Sequence, residues 1–207
     1  MGTADWGGLV SGGPNLDVVV LVGNPRAGSR TRGVAEAVTG ALLDRLGGSP
    51  DTVQVLELAE VVGVSFGPEP AYGAKAGPDP FAAVRSARLL VVATPAYKGS
   101  YTGLLKVFLD QFGHRELAEV IAVPVAVAAS PAHADAAASA LRDVLVELGA
   151  RVPAPPLAVP ESRLADAREI AARWADQHAA AGRQGHRFAP RATPVPATSP
   201  TEQEGRH

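Results

Sequence analysis

Val18 to Thr31 reads VVVLVGNPRAGSRT, and the fold follows from it. Five consecutive apolar residues, Val18 to Val22, describe a strand buried on both faces, as strands are in a parallel sheet covered by helices on either side. Gly23 ends the strand. A loop of small, hydroxyl-bearing and basic residues follows, and then Val34, Val38, Leu42 and Leu46 recur every four residues as on one face of a helix. A loop between the carboxyl end of a strand and the amino end of a helix collects unpaired N–H groups and the positive pole of the helix dipole. Such a loop is suited to a phosphate.

Two familiar phosphate loops do not fit these letters. Gly23 and Gly28 have the spacing of the nucleoside triphosphate loop, but Ser29 stands where its lysine belongs. The dinucleotide pattern G-x-G-x-x-G is broken by Asn24 and Pro25. What remains is a hydroxyl-rich loop with Arg26 and Arg30, fitted to a monophosphate without a metal. The plainer alternative is an ordinary strand-to-helix turn capped by Ser29.

Working outward, the 207 residues suffice for one domain with a sizeable core. The formal charge of −2 gives no field that would draw nucleic acid or an anionic membrane. With no cysteine there is neither a disulfide nor a thiolate metal site. No segment has the apolar length of a membrane span and the first residues lack a secretory pattern, so the expected location is the cytoplasm.

Met1 to Leu16 is Gly-rich and expected to be flexible, with Trp6 its only large side chain. The expected elements are a strand at 17–23, a helix at 29–46 stopped by Gly47 and Gly48, and a half-exposed edge strand at 52–58. Residues 59–80, punctuated by Gly and Pro, read as a long irregular loop. A short helix at 79–87 opens on Asp79 and Pro80. Then come a strand at 88–94, a helix at 102–112, a strand at 120–129 interrupted by Pro124, and a helix from Ser130-Pro131 to Gly149. A weak strand at 153–159 and a helix at 161–182 complete a domain spanning 17–182. The Pro-rich stretch 183–207 reads as a disordered tail. Five strands alternating with helices argue for an α/β fold: one five-stranded parallel sheet of order 2-1-3-4-5 in a three-layer sandwich with right-handed crossovers.

In open sheets of this kind ligands bind beyond the carboxyl ends of the strands, where the strand order reverses. That rule gathers three loops: 23–31, 94–103 and 129–133. The second, TPAYKGSYTG, offers Tyr97 and Tyr101 as flat surfaces with polar tips, Ser100 and Thr102 as hydrogen-bonding groups, and Lys98 as a charge. A planar heteroaromatic ring would meet backbone groups of 96–99 at its edge, with Tyr97 packed beside it. None of the three loops holds a His or carboxylate cluster, so metal ligation and paired-acid chemistry lack their parts.

The sequences GNPRAGSRT, TPAYKGSYTGLLKVFLDQF and ASPAH, in this order after three strands, resemble the NADPH-dependent FMN reductase family. The likeness is greatest to flavin reductases that supply reduced FMN to two-component monooxygenases, and it covers about 17–159. The family's phosphate loop, G-S-x-R-x-x-S-x-[ST/N], falls on Gly23, Arg26, Ser29 and Thr31, with Asn24 in place of the first serine. Its isoalloxazine loop, P-x-Y-x-x-S, falls on Pro95, Tyr97 and Ser100. The helix pattern G-x-L-K-x-F-L-D falls on Gly103, Leu105, Lys106, Phe108, Leu109 and Asp110. Its third loop, G-G-S-x-x-H, keeps Ser130 and His133 but has Ala128 and Ala129 for the glycines, which would crowd a bound ring.

The resemblance implies a flavodoxin-like fold, a homodimer or homotetramer, and hydride transfer from NADPH or NADH to FMN. In it Asn24, Arg26, Ser29 and Thr31 serve the FMN phosphate, Pro95, Ala96, Tyr97, Lys98 and Ser100 the ring, and Ser130 the third loop, while Arg30, Lys98 and His133 are candidates for the NADPH phosphates. No side chain is assigned a catalytic role. A partner monooxygenase would receive the product. The alternatives are an FMN-containing quinone or azo reductase, a flavodoxin-type electron carrier, and a flavodoxin-like assembly domain. The near-neutral charge and the absence of a T-x-T-G-x-T loop count against the carrier.

Overall fold

The computed structural model describes Trp6 and residues 17–65, 71–74 and 78–179. Strand β1 (Val18–Val22) is buried at every position, as a run of valines and a leucine between two helical layers must be. Helix α1 (Arg30–Leu46) follows and closes on Gly47, whose left-handed φ of 73° lets its N–H reach the carbonyl of Leu43. Next come β2 (Val53–Glu57), the single-turn helix α2 (Leu58–Val61), and strands β3 (Val62–Ser65) and β4 (Ala71–Ala74). The chain continues through α3 (Pro80–Ser86), β5 (Leu89–Pro95), α4 (Gly103–Leu109), β6 (Ile121–Ala128), α5 (Pro131–Glu147), β7 (Leu157–Pro160) and α6 (Ala167–His178).

Five strands form one sheet in the order β2-β1-β5-β6-β7, every pair parallel. Counting only these strands, the order is second, first, third, fourth, fifth, as expected. The sheet divides the core in two. Val18, Val20 and Val22 pack with Val34, Val38 and Leu42 of α1 and with Ala171 and Trp174 of α6. Val19 and Leu21 face the other way, toward Val84 of α3, Leu105 and Phe108 of α4, and Leu141 and Leu145 of α5. Alternate residues of one strand thus serve opposite layers, each buried side chain contributing about 1.5–3 kcal/mol. Phe81 stacks on Phe108 with ring centroids 4.6 Å apart, joining α3 to α4.

Pro124 sits inside β6 without breaking it. Ala122 donates its N–H to Arg151, toward β7, and Val127 accepts from Ala96, toward β5. Even-numbered residues of β6 therefore turn their backbone toward β7. The missing N–H of Pro124 faces the place where the chain between Arg151 and Leu157 has left the ladder. No ladder bond is lost.

Several expectations need correction. Residues 59–80 are not one irregular loop: α2 and the antiparallel pair β3–β4 occupy much of that segment. Val62 is buried with Leu58 and Val84, so burial against α3 overrode the punctuation by Gly and Pro. Helix α4 ends at Leu109, short of 112, where the chain passes into turns. Strand β7 is confined to 157–160, because Pro153, Pro155 and Pro156 leave few N–H groups for pairing. The expected helix at 161–182 is a 3-10 segment at Glu161–Asp166 followed by α6, which ends at His178.

Trp6 is 1% exposed, packs in the α1–α6 layer, and donates its indole N–H to the carbonyl of His178. The rest of the expected flexible stretch 1–16 and the expected tail 183–207 lie outside the described residues.

Candidate functional site

The carboxyl ends of β2, β1, β5 and β6 share one edge of the sheet. Val22 is in register with Glu57 on one side and Ala93 on the other, and Pro95 with Val127. Gly23 continues the ladder by donating to Ala93 (2.7 Å), and Ala96 does so by donating to Val127 (2.8 Å). The loops after β1, β5 and β6 therefore emerge side by side.

The loop after β1 is held from within and from behind. Asn24, buried, accepts the N–H of Arg26 (2.9 Å) and donates its amide to the Thr31 hydroxyl (3.2 Å). Gly28 turns the chain with φ 62°, a conformation that costs a side-chain-bearing residue more than glycine. Its N–H is bound by Glu57 Oε2 at 2.8 Å. Thr31 is buried in the first turn of α1, while the Arg26 side chain is exposed and has no ion-pair partner among the described residues.

Ser29 occupies the position before α1 but does not cap it. Its hydroxyl oxygen is buried and has no hydrogen-bond partner. The simple capping reading therefore fails. A buried hydroxyl without a partner is costly to a folded protein, and here it lies beside the first N–H groups of a 17-residue helix. That donor set suits an anion.

Arg30 turns away from this loop and pairs with Glu161 at 3.1 Å, both side chains being exposed. Arg32 donates to Glu36 (2.7 Å) and Glu57 (2.6 Å). Those two hydrogen bonds, the one to Glu36 foremost, hold its guanidinium even more firmly charged than usual.

The loop after β5 closes on itself. Tyr97 and Ser100 exchange backbone hydrogen bonds of 2.8 and 3.2 Å across Lys98 and Gly99, whose φ values are 54° and 79°. Positive φ at both central positions is the pattern of a type I′ turn. Tyr97 stands out, 47% exposed, with Lys98 exposed beside it and Pro95, Ala96 and Ser100 half-buried.

Beneath this turn Thr94, fully buried, accepts the N–H of Thr102 (3.2 Å). The Thr102 hydroxyl accepts from Leu105 N–H and donates to the carbonyl of Gly23, tying the second loop to the first. Half-buried Tyr101 has a phenol pushed above its ordinary pKa by desolvation. In the third loop the Ser130 hydroxyl caps α5 by accepting from His133 N–H (3.3 Å), and His133 is exposed.

The structure thus brings Asn24, Arg26, Ser29 and Thr31 into one loop and Pro95, Ala96, Tyr97, Lys98 and Ser100 into the next. Ser130 sits at the same edge with its hydroxyl used as a cap. Arg30 is directed elsewhere. Sequence reasoning missed Glu57, because a polar letter in an alternating strand reads as solvent-facing, and Arg32, because an arginine in the first turn of a helix reads as a solvated charge. Glu57 is nevertheless 2% exposed. A groove of about 760 Å³ runs between α1 and α6, bordered by Gly33, Ala37, Asp44, Arg45 and Arg168. It meets the loop cluster only at Arg30 and offers none of the groups that suit a phosphate in the first loop.

Comparison with known proteins agrees with this geometry. Two proteins of Pseudomonas putida are similar: the NADH-dependent FMN reductase SfnE, 33% identical over 50% of this chain and 55% of its own length, and the NADH-dependent FMN reductase SfnF, 36% identical over 54% and 59%. The chain therefore spans between half and three fifths of the length of these relatives. Among solved structures, the apo form of the NADH:FMN oxidoreductase EMOB is 27% identical over 76% of this chain and 87% of its own, with a TM-score of 0.54. An oxidoreductase from Corynebacterium diphtheriae, 24% identical with a TM-score of 0.60 over 79% and 94%, shares the fold. The NADPH-dependent FMN reductase model matches residues 16–163, and with that match across most of the chain, this protein belongs to that family.

Proposed function

We propose that the protein is an NAD(P)H-dependent FMN reductase. The observation that carries the reading is the buried Ser29 hydroxyl with no partner at the opening of α1, inside a loop already shaped by Asn24 and Glu57. It is an unmet donor where a phosphate monoester would meet it. In this reading Ser29, the Thr31 hydroxyl, the first N–H groups of α1 and Arg26 hold the FMN phosphate.

The turn at 95–100 holds the ring by its backbone edge, and Tyr97 gives it a flat neighbour. When bound, the flavin supplies a two-electron acceptor for the nicotinamide hydride. This chain's residues fix position and limit water, and no side chain among them is asked to move a proton. Arg30 and Lys98, both exposed, are the cations of the two loops besides Arg26 and are assigned to the flavin or nicotinamide phosphates, Arg30 only if it leaves Glu161. Ser130 supports the third side of the ring as the fixed start of α5.

On the resemblance of its loops to flavin reductases, the protein would work as a homodimer or homotetramer and pass reduced FMN to a separate monooxygenase. The test is anaerobic mixing of the protein with excess FMN and either NADPH or NADH, following loss of nicotinamide absorbance and bleaching of the flavin. Catalytic consumption of excess FMN is expected. Turnover only on adding a quinone would make the protein a quinone reductase, and stoichiometric binding without reduction would make it a carrier.

A further inference from the structure

We propose that Glu57 is a positioning residue of the phosphate loop, holding it from behind in the shape that receives the phosphate of FMN; this rests on the reductase reading above. Glu57 is the last residue of β2, paired in register with Val22, so its side chain lies next to the end of β1. It is 2% exposed, and a carboxylate so placed must have its oxygens engaged. They are: Oε2 takes the N–H of Gly28 and Oε1 takes Arg32, which also reaches Glu36.

Two consequences follow for the loop. Gly28 N–H is bound by Glu57, which braces the left-handed turn that delivers Ser29 to the head of α1. Arg32, spent between two carboxylates, offers no free charge to a phosphate. Binding is left to neutral donors and to Arg26, the loop arginine without a carboxylate partner among the described residues. A glutamine at 57 could not do the same. Its oxygen could accept from Gly28 or Arg32, but its NH2 would confront the other donor.

The experiment titrates wild-type protein and Glu57→Gln with FMN and with riboflavin by quenching of flavin fluorescence, alongside thermal melting of the flavin-free proteins. The expected result is an FMN dissociation constant raised about ten-fold in Glu57→Gln, with riboflavin changed less than about two-fold, as for loss of one charge-assisted contact's worth of preorganisation. An unchanged ratio of FMN to riboflavin affinity, with or without a lower melting temperature, would overturn the proposal and leave Glu57 a purely structural residue. Wild-type protein that bound riboflavin as tightly as FMN would overturn the phosphate reading itself.

If Glu57→Gln does not fold, amide NMR of the wild type decides. Gly28 N–H should be protected from exchange without flavin and shift little on adding FMN, while Arg30 and Thr31 shift. A Gly28 amide that exchanged freely and moved most with FMN would sink the assignment.

Discussion

The Thr102 hydroxyl donates to the carbonyl of Gly23, so the residue that caps α4 also holds the end of β1. The same oxygen accepts the N–H of Leu105 at 3.1 Å. One buried side chain therefore serves two backbone groups, one in the loop after β1 and one in the first turn of α4. Thr102→Val keeps the shape and removes both bonds. The expected loss is about 2–3 kcal/mol, combining a helix cap with a stranded buried carbonyl. Urea unfolding monitored by circular dichroism measures it. Because the valine frees Gly23, FMN affinity should fall with stability; unchanged FMN binding would separate the two loops functionally.

Gly23 is needed for a different reason. A Cβ at this position would stand 2.8 Å from both Cβ and Cδ2 of Leu105. Gly23→Ala is expected to cost about 1–3 kcal/mol through overpacking of β1 against α4. Leu105→Ala should not rescue it fully, since the Leu105 Cβ is itself one of the colliding atoms. Melting temperatures of the two single variants and the double variant test this; complete rescue would mean that only the tip of Leu105 was at fault.

Lys98 holds a left-handed φ of 54° in the turn that faces the proposed ring site, next to Gly99 at 79°. Asparagine tolerates this conformation better than lysine, and Asn-Gly is the favoured pair for such a turn. Lys98→Asn should therefore raise stability by about 0.5–1 kcal/mol, whereas Lys98→Val should lower it by at least as much. Chemical denaturation reads the sign directly. If Lys98 contacts a flavin or nicotinamide phosphate, the asparagine variant will also show a weaker nucleotide affinity that depends less on added salt than the wild type's.

The parts of this fold readable from sequence were those where one side of the physics dominated. β1 is a run of apolar residues, and α5 begins at Ser130-Pro131 and has its buried leucines spaced as a helix requires. The rest depended on distant partners. Val62 forms a strand because Leu58 and Val84 give it a buried surface, and Trp6 is ordered because the end of α6 supplies a carbonyl for its indole. In the site, the loop letters at Asn24, Ser29 and Tyr97 carried a chemical signal of their own. Glu57 did not, since its role depends on a glycine N–H 29 positions earlier in the chain. Arg30 shows the reverse: its place in the loop suggested a phosphate contact, but Glu161, after β7, takes its guanidinium.

The phosphate assignment is open to a test that leaves the ring site intact. Ser29 has a buried hydroxyl without a partner, and Arg26 is an exposed cation two residues after the amide that shapes the loop. Replacing both by alanine removes a neutral donor and a charge while leaving the turn at 95–100 untouched. FMN and riboflavin differ only in the phosphate, so the double variant should weaken FMN by about 10- to 100-fold and riboflavin hardly at all. Because part of that loss is Coulombic, the wild-type preference for FMN should itself shrink as salt is raised, and the variant's should shrink less. Removing an unpaired buried hydroxyl should also leave stability unchanged or slightly higher, which separates a binding defect from a folding one. Parallel weakening of FMN and riboflavin would move the phosphate away from the loop at 23–31 and leave the unpartnered oxygen of Ser29 without an explanation.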